Sequence, residues 1–84
     1  MSTEDTIHEA GQKLVTITFD YSEADGSNEG TREVEPYSYR EKSAQRLFYG
    51  YDVRKGAIRS FAPANIHNTA LTDNSYTPRW PVEV

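Results

Sequence analysis

The spacing of apolar positions begins as helical and then changes to a period of two. In "STEDTIHEAGQKL", Ile7, Ala10 and Leu14 recur at helical spacing, Ser2 and Thr3 offer N-caps and acids fill the first turn. This predicts one short amphipathic helix over residues 2–13, ended near Gly11. "LVTITFDY" then alternates, with Val15, Ile17, Phe19 and Tyr21 on one face and Thr16, Thr18 and Asp20 on the other, which is the signature of a half-buried strand. The polar, acidic "SEADGSNEG" carries turn signals at Asp25-Gly26 and Glu29-Gly30 and reads as a mobile hairpin loop. Residues 32–39 form a second strand interrupted by Pro36, which cannot donate to a ladder and so marks a sheet edge or a bulge. "REKSAQ" reads as a polar turn. "RLFYGYDV" is a third strand with Leu47, Tyr49, Tyr51 and Val53 on one face and Gly50 opposite, where a neighbouring backbone or a bound group comes close.

"RKG" reverses the chain, "AIRSFA" returns as a fourth strand, and "PANI" turns into a fifth around residues 66–71. In the tail, residues 72–84, Pro78 and Pro81 bracket Trp80 and favour an extended course, with Tyr76, Trp80 and Val82 placed to fold back. The predicted architecture is mainly β with one N-terminal helix, a small antiparallel β-barrel of about five strands whose end the helix covers. A chain of 84 residues buries only about 60 to 65 per cent of its unfolded surface, which leaves room for one core and makes residues 1–84 a single domain. With six Tyr, three Phe and one Trp, that core leans on large rings rather than aliphatic side chains.

Charge and composition narrow the function. The absence of cysteine removes disulfides, thiolate catalysis and Cys-based zinc sites, and suits a reducing, cytoplasmic setting. No apolar run is long enough to span a bilayer, and the acidic, polar N-terminus is unlike a signal peptide, so no membrane role is expected. A net charge of −4 argues against sequence-blind binding to duplex DNA, which rests on many phosphate contacts. Yet Arg32, Arg40, Lys42, Arg46, Arg54, Lys55, Arg59 and Arg79 all lie from Arg32 onward, so a local anion site survives.

The candidate chemistry concentrates in "LFYGYDVRKGAIRSF", where Tyr49, Tyr51, Arg54, Arg59 and Phe61 flank a tight turn. Arg59 and Phe61, two residues apart, share a strand face, so a guanidinium that clamps a phosphate lies beside a ring on which a base stacks. Arg32, Tyr37, Tyr39 and Tyr51 join them across the sheet. The competing reading makes Tyr37 and Tyr51 wall rings and pairs Arg59 with Glu33 or Glu35. His8 and His67 lie far apart and read as surface residues, not metal ligands. Asp20, Asp25 and Glu29 lack calcium-loop spacing and read as solvated. Ser38, Ser43, Ser60 and Ser75 have no nucleophile turn, no glycine-rich phosphate loop is present, and Glu33 with Glu35 read as strand-edge acids. No enzyme and no cofactor are expected.

With the strands placed, "REVEPYSY", "RLFYGYD", "IRSF" and "PANI", preceded by "IHEAGQKLVTITFDY", resemble the WYL domain, a bacterial and phage module. Arg46, Leu47 and Phe48 stand where the name-giving Trp-Tyr-Leu triplet would, and Asn65 stands where an Arg is usual. The resemblance implies an Sm-like (Src-homology-3-like) small barrel. It also implies a regulatory, ligand-sensing role beside a DNA-binding regulator, with a nucleotide or single-stranded nucleic acid as ligand. The expected ligand-binding residues are Arg32, Tyr37, Tyr51, Arg59 and Phe61. The alternative is a protein-binding or homodimerising adaptor without a small ligand, using a sheet edge and the tail residues Trp80 and Tyr76. Convergence of the five ligand-site residues on one concave surface favours the sensor; dispersal favours the adaptor.

Overall fold

The computed structural model describes residues 2–23 and 29–84; the Asp25-Gly26 turn signal and most of the expected acidic loop lie outside the described residues. Helix α1 spans Thr3–Lys13. It begins at Ser2 because the Ser2 hydroxyl accepts the Asp5 N–H at 3.1 Å while the Asp5 carboxylate accepts the Ser2 N–H at 3.4 Å, a reciprocal capping box. The helix does not end near Gly11, which stays helical and buried. It ends at Leu14, a left-handed C-cap with φ 55°. Leu14 thereby leaves the expected apolar stripe, from which Ile7 and Ala10 reach the core.

Five antiparallel strands follow: β1 Val15–Tyr21, β2 Gly30–Lys42, β3 Gln45–Asp52, β4 Ala57–Phe61 and β5 Ile66–Ser75, with a 3-10 turn at Pro63–Asn65. Their order in the sheet is β4-β3-β2-β1-β5. The fold is mainly β with one N-terminal helix, as expected, but the sheet is not closed into a barrel. Among the described residues β4 and β5 are its two edges, β4 paired with β3 and β5 with β1. Rings fill the seam in place of a backbone ladder. Phe61 of β4 meets Phe19 and Tyr21 of β1 edge-on at 5.1 and 5.0 Å, and the Tyr21 hydroxyl accepts the Ala62 N–H at 2.9 Å. The inner face of the sheet, with Ile17, Phe19, Tyr21, Val34, Phe48, Phe61 and Ile66, packs with Ile7 and Ala10 of α1 into one core.

Local chemistry moves several boundaries. The expected six-residue turn after Tyr39 contracts to Ser43 and Ala44, whose φ values of 53° and 63° give the twist that a two-residue hairpin needs. β5 runs beyond Leu71, with Ser75 opposite Val15, so the start of the expected tail is strand. Val53 leaves β3 for the following turn and is exposed. Pro36 lies in β2, the middle strand of the sheet, and the register with β3 shifts between Pro36 and Ser38. It therefore marks a bulge and not an edge, and the bulge re-aims Tyr37 to the outer side, where Tyr76 and Trp80 meet it.

Gly50, on β3 opposite Pro36, has no room for a side chain. A Cβ there would collide with the Val34 side chain and stand 2.9 Å from the Glu35 carbonyl oxygen, which belongs to backbone and cannot swing away. Gly50→Ala is expected to cost about 1–3 kcal/mol by overpacking, a fall of roughly 5 °C or more in melting temperature for a domain this small. A melting curve that coincides with wild type would show that β2 and β3 part easily at this point.

Candidate functional site

The register of β3 with β2 and β4 decides which candidate residues share a face. Gly50 lies opposite Arg59, Phe48 opposite Phe61, and Asp52 opposite both Val34 and Ala57, all facing inward; Tyr49, Tyr51 and Ile58 face outward. Arg32, Arg59 and Phe61 therefore belong to the inner face, and Tyr37 and Tyr51 to the outer one. The five residues do not converge on one concave surface, and the single aromatic and basic face expected of them is not formed.

Phe61 is 2 % exposed and packed among Phe19, Tyr21 and Phe48, so its ring belongs to the core and presents no stacking plane to solvent. Arg32 is buried too. Its guanidinium lies 6.0 Å from the Phe61 ring centroid and donates to Asp52 at 3.0 Å, in an ion pair whose side chains are 8 % and 1 % exposed. The other Asp52 oxygen accepts the backbone N–H groups of Arg54 and Lys55, each at 3.1 Å, while Gly56 closes the turn at φ 67°. Asp52 is thus an internal anion held by two amides and a guanidinium, donors of the kind that elsewhere cradle a phosphate. Arg59 is half-buried on the same face.

Beside this pair, where the β3–β4 turn meets the start of β2, is a cleft of about 430 Å³ lined by Gly30, Thr31, Arg32, Asp52, Arg54 and Lys55, with Glu29. Its three cations outnumber its two carboxylates, so it is positive in a chain of net charge −4. With Arg32 committed to Asp52, the exposed Arg54 and Lys55 supply the charge that a ligand would meet.

The outer face is organised by another carboxylate. Glu35, also buried, accepts from the Tyr37 hydroxyl at 2.7 Å and from Arg79 Nε at 3.2 Å. The guanidinium of Arg79 lies over the Tyr51 ring at 4.1 Å, its backbone N–H donates to the Tyr37 hydroxyl at 3.0 Å, and Trp80 stands edge-on to Tyr37 at 5.2 Å. Tyr76 anchors the start of this tail by donating its hydroxyl to the Pro36 carbonyl at 2.9 Å. Trp80 and Tyr76 do fold back, as the sequence suggests, and Trp80 keeps 46 % of its surface exposed. Glu35 pairs with Arg79, from a part of the chain remote in sequence.

Burial pushes the Tyr37 phenol up to about 12, and the Glu35 carboxylate adds to that shift. Burial, with the neighbouring Tyr37 and Glu35, also raises Tyr76. The hydrogen bond that Arg79 donates to Glu35 lifts Arg79 above its ordinary value. Both tyrosines therefore remain neutral donors throughout the physiological range. The half-buried Asp20 is lowered by hydrogen bonds from Asn68 of β5 and Thr31 of β2, which tie β1 to both of its neighbours. His8 and His67 are both exposed. Among the described residues no group of three or more His, Cys, Asp or Glu side chains could hold a metal ion, and no helix is long and apolar enough to cross a membrane.

The WYL domain family matches residues 2–71, through α1 and all but the end of β5. The chain belongs to the WYL-domain family. Among solved structures, proteasome accessory factor B/C (PafBC) of Arthrobacter aurescens is similar, with a TM-score of 0.78 and 25% sequence identity over 90% of this chain. The chain covers 12% of that protein's chain. No curated protein sequence matches. The WYL match stops before Tyr76, so the outer-face carboxylate Glu35 lies inside the family region while its partner Arg79 lies beyond it.

Two features of the site were hidden from sequence. The Arg32–Asp52 pair spans 20 positions, although an Asp opening "DVRKG" is a turn signal that marks Asp52. The Glu35–Arg79 pair spans 44 positions and carries no local signal.

Proposed function

We propose that this chain is a regulatory, ligand-sensing WYL module that takes a phosphate-bearing ligand, a nucleotide or a single-stranded nucleic acid, at the basic end of its inner face and passes the bound state to a protein partner. The observation that carries this reading is the positive cleft beside the Arg32–Asp52 pair, in a chain that is otherwise acidic. Arg54 and Lys55 reach from a turn that Asp52 holds in shape, so they can bind phosphate oxygens at little cost in backbone order. The half-buried Arg59, on the same face in β4, lies outside the lining of this cleft. Family membership supports a regulatory role.

The test is a titration with fluorescent single-stranded oligonucleotides and with free nucleotides at low and physiological salt. Binding is expected to weaken as salt rises, with a slope of about −0.7 per phosphate contacted. Arg54→Ala with Lys55→Ala is expected to reduce affinity at least about tenfold, the scale of losing charge-assisted contacts. Arg59→Ala, on the same face but outside the cleft lining, is expected to weaken binding less than the loss of Arg54 and Lys55 does, and Tyr51→Ala, on the other face, to leave it unchanged. No binding by wild type at high micromolar concentration, or equal binding by all variants, would leave the cleft as a solvated turn. The adaptor would then be the better reading, and the dispersal of Arg32, Tyr37, Tyr51, Arg59 and Phe61 over two faces already favours it.

A further inference from the structure

On the outer face, a buried carboxylate depends on a cation that the chain supplies from its own tail. Glu35 is 5 % exposed, whereas the Arg79 side chain bonded to it is half exposed. The guanidinium is read by the carboxylate and, at 4.1 Å, by the face of Tyr51. The Tyr37 hydroxyl then takes the occupant's backbone N–H, and Tyr37 and Tyr51 flank the indole beside it at 5.2 and 6.2 Å. The receiving groups lie on β2 and β3, within the family region. The occupant, "TPRWP", lies outside it, without helix or strand structure of its own.

We propose that the recess of Glu35, Tyr37 and Tyr51 is a recognition site for an extended, arginine-bearing segment of a protein partner, which the chain's own Arg79 and Trp80 hold closed in cis. Charge complementarity selects the occupant: while the recess is covered, Glu35 is a buried carboxylate that needs a cation, so a segment that replaces the tail there must bring one, and a guanidinium also fits the face of Tyr51. The cis tail competes at an effective concentration in the millimolar range, and a partner needs extra contacts to displace it. The structure offers them. Tyr49 and Ile58, on the sheet, line a groove beside the recess and stay in place when the tail leaves, and Ile58 is 46 % exposed. The site is on the opposite side of the sheet from the basic cleft and does not depend on an anionic ligand there.

The experiment uses the full chain and a dye-labelled nonapeptide with the sequence of residues 76–84, read by fluorescence polarisation. Wild type is expected to bind the peptide weakly and Arg79→Ala about tenfold or more tightly, since that variant loses the competing guanidinium. Glu35→Gln in the Arg79→Ala background is expected to abolish the gain. A peptide with alanine in place of its arginine is expected not to bind Arg79→Ala, and this arm stands even if the Glu35 variant fails to fold. Equal affinity of wild type and Arg79→Ala, or binding of the alanine peptide as tight as that of the native one, would overturn the proposal. So would a wild-type dimer in sedimentation that Arg79→Ala dissolves, because the occupant would then be the tail of a second copy.

Discussion

Asp52→Ala is expected to bring this protein close to its unfolding limit. The substitution removes the Asp52 carboxylate from the buried Arg32 guanidinium and strips the acceptor from the N–H groups of Arg54 and Lys55. Breaking one side of a buried pair costs about 3–5 kcal/mol, against a total stability of about 4–13 kcal/mol for a chain this long. Asp52→Asn separates the two contributions, because an amide oxygen still caps the turn while the charge is gone, so its loss is expected to be smaller. Replacing both partners, Arg32→Met with Asp52→Asn, is expected to recover part of the deficit, since no isolated charge remains in the interior. Urea unfolding of the four proteins checks this. A loss under about 1 kcal/mol for Asp52→Ala, the range of exposed pairs, would mean that water reaches the pair and that the inner end of the sheet is far looser than its burial implies.

The elements that sequence made legible are those whose signal is local. Alternation in β1 set Val15, Ile17, Phe19 and Tyr21 on one face, and the Ser2 cap fixed the start of α1. Pro36 announced an irregularity, and only the position of β2 within the sheet decided that it is a bulge. The Ser43-Ala44 turn has no local signal, because both residues adopt positive φ without the Asn-Gly chemistry that usually marks it. Closure of the sheet was illegible for another reason. It depends on whether β4 finds β5 across the fold, and here the rings of Phe19, Tyr21 and Phe61 fill that seam without a ladder.

The candidate site shows the same division. A period of two placed Arg59 and Phe61 on one face correctly, yet it cannot say whether that face looks to solvent or to the core. Aromatic and basic residues in one short stretch suggested one surface, whereas the strand register sends Tyr51 outward and Phe61 inward within the β3–β4 hairpin. The basic cleft and the tyrosine recess are therefore separate sites on opposite sides of one sheet.

Phe61→Ala is the substitution that separates a structural ring from a ligand platform most directly. Phe61 lies on the edge strand β4, held edge-on by Phe19 and Tyr21 and tilted against Phe48 at 6.1 Å. Removing it would open a cavity between β4 and β1, two strands that no backbone ladder joins. Such truncations cost about 3–5 kcal/mol, so the variant is expected to be largely unfolded at physiological temperature or to lose roughly 15 °C or more in melting temperature. Phe61→Leu keeps an apolar side chain of nearly the same reach, and it is expected to retain the fold with a loss of about 1–2 kcal/mol. Because the ring does not reach solvent, Phe61→Leu is also expected to bind oligonucleotides and nucleotides as wild type does. A Phe61→Ala protein that melts with wild type but no longer binds single-stranded ligands would contradict the packing described above, since only a ring free to stack on a base could be lost from binding without being missed by the core.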